Sequence, residues 1–110
     1  MINLNYLKKT TNNDKEVILQ LVEIFKEQLP DLKEDIVSAY NNKNWYSLKN
    51  AAHKAKNSFK MMGLEESSDN LRQIELECAK TDGINCEKMI EYFLSKYETI
   101  VDELEKRLDI

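Results

Sequence analysis

The chain contains a single histidine, His53, and its neighbours in helical register are cationic. On a projection of 100° per residue, Lys49 lies one turn before it, Lys56 and Asn57 one turn after it, and Lys60 two turns after it. A neutral imidazole nitrogen is a competent nucleophile near pH 7. Lys56 and Lys60 are spaced to offset the charge of a phosphoryl group added to the ring, through charge-assisted hydrogen bonds. These residue types suit a histidine that accepts and holds an anion. A lone histidine among lysines also fits an ordinary solvated surface position, and spacing alone leaves both readings open.

The surrounding stretch, Trp45 to Gly63, decides how that ring is presented. Trp45, Leu48, Ala52, Ala55, Phe59 and Met62 recur at alternating spacings of three and four and form one apolar helical stripe. His53 lies more than a quarter turn from the centre of this stripe, so burying the stripe leaves the imidazole on an outward, basic ridge. Tyr46 falls on the histidine side about two turns earlier, as either a partner contact or a surface tyrosine.

The order of residues from Ala51 to Glu75 resembles the histidine phosphotransfer (HPt) domain family. Its motif runs approximately H-x-L-K-G, a small residue, L-G, and then apolar helix positions ending in L-E or L-Q. His53 stands at the phosphorylated position, Lys56 at the lysine, Ser58 at the small residue, Met62 and Gly63 at L-G, and Leu71, Ile74 and Glu75 downstream. The departures are Ala55 for leucine, Asn57 for glycine and Ser67 for an apolar residue. In the family that glycine leaves room for the partner, so Asn57 is expected to affect transfer rate or partner preference. The resemblance implies phosphohistidine at His53, phosphoryl support from Lys56, Lys60 and Glu75, and receiver docking over Tyr46, Lys49, Asn57 and Gly63. It implies a carrier between aspartates of response-regulator receiver domains, some of them in hybrid sensor kinases, with no kinase activity of its own. Mg²⁺ is expected in the receiver and no cofactor in this chain. The alternative is an HPt-like adaptor that binds receivers or kinases without turning over phosphate.

Other chemistries lack their residues. A di-iron bundle needs several carboxylates with Glu-x-x-His pairs, and the one histidine is preceded at that spacing by Asn50. There is no glycine-rich phosphate loop and no motif for a Ser-His-Asp hydrolase. Cys78 and Cys86 have no metal-type pairing around them and are read as reduced packing thiols. A net charge of -4 argues against nucleic acid, which demands a clustered positive surface. No apolar run approaches the ~20 residues of a membrane span, and the N-terminus lacks a secretory h-region. A cytoplasmic protein is expected.

The elements that must position the histidine follow from length and periodicity. One domain over residues 1–110 fits the chain length. Two glycines, one proline, 42% hydrophobic and 33% charged residues describe an amphipathic all-α protein. Residues 2–7 suit a short helix or arm. Asn12, Asn13 or Asp14 can cap a long helix with Ile18, Leu21, Phe25, Leu29, Leu32, Ile36 and Ala39 inward; their phase survives Pro30, which favours one kinked helix over two. A turn at 41–44 leads into the histidine helix, capped by Asn44 or a neighbour and ending near Gly63. A fourth helix from Leu64 to about Lys80 turns Leu64, Leu71, Ile74 and Cys78 inward. After a turn at 81–83, a last helix from about Asn85 carries Cys86, Ile90, Phe93, Tyr97, Ile100, Leu104 and Leu108. Short connections make neighbours antiparallel, giving an up-down-up-down four-helix bundle with an extra N-terminal helix or arm. The stripes are satisfied within one bundle, so a monomer is expected.

Overall fold

The computed structural model describes residues 2–81 and 86–106, the side chain of Thr81 excepted. The described residues form five helices: α1 (Asn5–Thr10), α2 (Lys15–Asn41), α3 (Trp45–Met61), α4 (Glu65–Thr81) and α5 (Glu87–Lys106). Helices α2 to α5 make an antiparallel bundle in which each packs on the next and α5 returns to α2. At 1.5 Å per residue, the 27 residues of α2 span about 40 Å, which accounts for the longest dimension of 43 Å. The expected turn at 82–83, the start at Asn85 and the inward Leu108 lie outside the described residues.

Local chemistry sets the helix boundaries. The Asp14 carboxylate accepts from the Glu16 and Val17 amides at 3.1 and 3.3 Å, and the Asn44 side-chain oxygen accepts from the Ser47 amide at 3.1 Å. Each cap satisfies donors the helix leaves open and contributes about 1 kcal/mol. Helix α3 ends in a Schellman turn: the Gly63 amide donates to the Lys60 carbonyl and the Leu64 amide to the Phe59 carbonyl. Helix α2 ends the same way, with the Lys43 amide on Tyr40 and the Asn44 amide on Ala39. Pro30 lies within the continuous α2. It sits on an exposed face, where water can serve the carbonyl its missing N–H leaves unpaired.

The core is one cluster drawn from all five helices and the N-terminal arm. An aromatic row crosses it: Phe25 meets Phe59 edge-on at 5.3 Å, Phe59 lies 5.9 Å from Phe93, and Phe93 lies 6.2 Å from Tyr97. The row ties α2, α3 and α5 together through the bundle's centre. One inward assignment on α2 is corrected. Val22 is buried, while Leu21 is half-buried at the edge of the core. Both flank the same stripe, and which flank is covered depends on where the neighbouring helices lie. Trp45 is likewise half-buried, tilted against Tyr40 at 6.2 Å.

Candidate functional site

Helices α3 and α4 approach each other more extensively than any other pair. Small side chains allow it. Ala52 and Ala55 line the buried face of α3, and on α4 the buried Ser68 hydroxyl donates to the Lys56 carbonyl at 3.4 Å. Two turns beyond Ser68, this approach brings Glu75 against the outer face of α3.

Three side chains converge there. His53 Nδ1 lies 2.7 Å from Glu75 Oε2, and Lys56 Nζ lies 3.0 Å from Glu75 Oε1. The histidine side chain is 56% exposed, whereas those of Lys56 and Glu75 are 22% and 20% exposed. Partial burial alone would raise the pKa of Glu75, but the hydrogen bonds from Lys56 and His53, with their charges, outweigh it and hold the carboxyl below the ordinary glutamate range. Glu75 is therefore ionised at neutral pH. A carboxylate only accepts hydrogen bonds, so in neutral His53 the proton resides on Nδ1 and the lone pair on Nε2. Lys56 Nζ is also 3.5 Å from Nδ1; with the ring proton on Nδ1, this is two donors meeting at one carboxylate. Among the described residues Nε2 has no hydrogen-bond partner, and it belongs to a half-exposed ring.

The other residues singled out by sequence are spread along the ridge. Tyr46 is 73% exposed, Lys49 is half-buried, and Asn57 and Lys60 are exposed. Lys56 turns toward Glu75, on the Nδ1 edge of the ring. Gly63 is half-buried beneath the N-terminal arm, with Asn3 against it. A hollow of about 500 Å³ at this end of the ridge is bounded by Asn57, Lys60, Met61 and Gly63 together with Asn3 of the arm and Tyr6 of α1.

Two residues were not identified from the sequence. Arg72 shares a hollow of about 520 Å³ with Lys56, Asn57 and Lys60; its position three residues before Glu75, on the same face of α4, was the available signal. Tyr6, 55% exposed, had no local signal, since only the tertiary placement of α1 brings it to the end of α3. Among the described residues no cluster of His, Cys, Asp and Glu is arranged to hold a metal ion, and no helix is long and apolar enough to cross a membrane.

A family model described as Hpt domain matches residues 20–109. The fold is similar to the crystal structure of the HPT domain of an Hpt sensor hybrid histidine kinase from Shewanella, with a TM-score of 0.85 at 17% identity over 97% of this chain and 92% of that one. No curated protein matches the sequence.

Proposed function

That this chain belongs to the Hpt domain family is the premise from which we propose that it is a phosphotransfer protein of a multistep phosphorelay, phosphorylated on His53. The observation that carries this reading is the orientation of the ring: Nδ1 is tied to the ionised Glu75 at 2.7 Å, and the opposite nitrogen is left on a half-exposed edge.

The chemistry follows from that orientation. A receiver domain carrying an aspartyl phosphate docks on the ridge, and His53 Nε2 attacks phosphorus in line. The Nε2–P bond forms as the P–O bond to the aspartate breaks, and the bonding pair leaves with the carboxylate. Nδ1 keeps its proton, so the ring gains positive charge as it is phosphorylated, and Glu75 stabilises that charge across the hydrogen bond. In the return step an aspartate of a second receiver attacks phosphorus and the N–P electrons go back to Nε2. Phosphoryl transfer depends mainly on positioning and charge stabilisation, which a rigid bundle supplies. Lys60, exposed and in no ion pair among the described residues, contributes local positive field. Tyr46, Lys49 and Asn57 border the docking surface, with Mg²⁺ held by the receiver. The chain acts as a single monomeric domain in the cytoplasm alongside its receivers and kinase.

The test is to mix the protein with a receiver bearing labelled phosphate and follow the label. Transfer to one acid-labile, base-stable site, abolished by His53→Gln with the helical circular dichroism spectrum unchanged, is the expected result. Stable binding of the receiver without movement of label would favour an adaptor role, and transfer that survives His53→Gln would end the assignment.

A further inference from the structure

We propose, resting on the reading of His53 as the phosphoryl acceptor, that Lys56 is a positioning residue that acts on the imidazole through Glu75, and that it makes no contact with the phosphoryl group.

The geometry of the carboxylate carries this. Its two oxygens are divided between two donors, Oε2 to His53 Nδ1 at 2.7 Å and Oε1 to Lys56 Nζ at 3.0 Å. The ammonium therefore stands at the Nδ1 edge, 3.5 Å from that nitrogen, while an incoming phosphoryl group attaches at Nε2 on the other side of the ring. To reach a phosphoryl oxygen, Lys56 would have to abandon Glu75. That would leave a carboxylate only 20% exposed with one of its two donors gone, and loss of a partner is costly for a partly buried charge. The exposed Lys60 has no such tie.

Held where it is, Lys56 does two things to its neighbour. It fixes the carboxylate in the rotamer that presents Oε2 to Nδ1, so the ring proton and the nucleophilic lone pair stay on their assigned nitrogens. It also balances the Glu75 charge, so that the imidazole is not the carboxylate's sole counterion. The charged groups acting on Glu75 from α3 are Lys56 and His53; on its own helix Arg72 lies one turn before it.

A double-mutant cycle separates action through Glu75 from direct contact. The donor is phosphoramidate, which needs no docked partner: its P–N bond breaks, ammonia departs with the bonding pair, and the new bond forms at a ring nitrogen. In the otherwise native protein Lys56→Met is expected to slow phosphorylation severalfold and to raise the share of product phosphorylated on Nδ1. In the Glu75→Ala background the same substitution is expected to change neither quantity, and Lys56→Arg should restore most of the wild-type isomer ratio. An equal loss of rate in both backgrounds, with the isomer ratio unmoved, would overturn the proposal. A second readout uses unphosphorylated protein and so stands even if receiver transfer fails. The Glu75 carboxyl, followed by carbon NMR, should titrate closer to the ordinary value of 4.5 in Lys56→Met, and an unmoved titration would equally count against the proposal.

Discussion

The backbone carbonyl and β-carbon of Asn3 occupy the space that a side chain on Gly63 would need. A β-carbon built at position 63 would lie 2.6 Å from that of Asn3, and φ at Gly63 is +72°. The Asn3 amide in turn donates to the Met62 carbonyl at 2.9 Å, so the arm lies directly across the end of the histidine helix. Gly63→Ala therefore combines a left-handed backbone penalty with a steric overlap against backbone, together about 2–4 kcal/mol. Thermal denaturation should show that loss, while phosphoramidate still phosphorylates His53 in the folded fraction. An unchanged melting temperature would mean that the arm does not bear on Gly63.

Lys43 occupies the equivalent position at the end of α2 with φ +53°, and it is exposed. The left-handed turn by itself tolerates a side chain at some cost, so Lys43→Gly is expected to stabilise the protein by about 0.5–1 kcal/mol. Chemical denaturation measures it. The opposite signs at Lys43 and Gly63 separate backbone strain from crowding by the arm.

Asn57 is exposed on the ridge one turn beyond His53. Asn57→Gly removes bulk where a receiver would approach and is expected to speed transfer from a phosphorylated receiver severalfold. Glycine inside a helix is the poorer former, so stability should fall by roughly 0.5 kcal/mol. Phosphorylation by phosphoramidate, which involves no docking, should keep its rate. A slower receiver reaction would make Asn57 a contact in its own right.

Glu75 links the site to acid stability. Its carboxyl is held below the ordinary value of 4.5 in the folded chain, so its stabilisation is fully present above that value and is lost as pH falls through the lower folded one. Glu75→Gln is expected to cost roughly 1 kcal/mol at neutral pH. The difference from the wild type should shrink below pH 4.5. Melting temperatures measured against pH for the two proteins test this, and a constant difference down to strong acid would contradict it.

Cys78 and Cys86 are buried free thiols whose sulfurs lie 3.9 Å apart, in contact but well beyond the roughly 2.05 Å of a disulfide. Burial, followed by the charge of Cys86 and its hydrogen bond, pushes the Cys78 thiol up to about 12; burial likewise raises Cys86, against a lowering hydrogen bond from Cys78. At pH 8 the native protein should react with iodoacetamide orders of magnitude more slowly than the denatured chain. Equal rates would show that this end of the bundle opens freely.

Much of this molecule is written locally. The spacing of Leu48, Ala52, Ala55, Phe59 and Met62 is enough to bury one face of α3 and turn His53 outward, because the helical period translates sequence directly into direction. Helix starts are legible for the same reason, since a cap bonds amides only two or three residues away; of Asn12, Asn13 and Asp14 the structure uses Asp14, and Asn44 caps α3. Local phase becomes less decisive at the edge of a stripe, where Val22 rather than Leu21 is buried.

The contact between His53 and Glu75 joins residues 22 positions apart. Helical phase places Glu75 on a face of α4, but not the axial offset and rotation of α4 against α3; those come from packing small residues across the seam and from the turn at Gly63. The same packing brings Lys56 to the Nδ1 edge, and a backbone hydrogen bond to Met62 lays Asn3 over Gly63. The sequence by itself determined which helices form, which faces they bury and that the only imidazole points outward, because those properties depend on neighbours along the chain. The tertiary structure alone decided which nitrogen of that imidazole carries the proton, because the carboxylate that chooses is delivered by another helix.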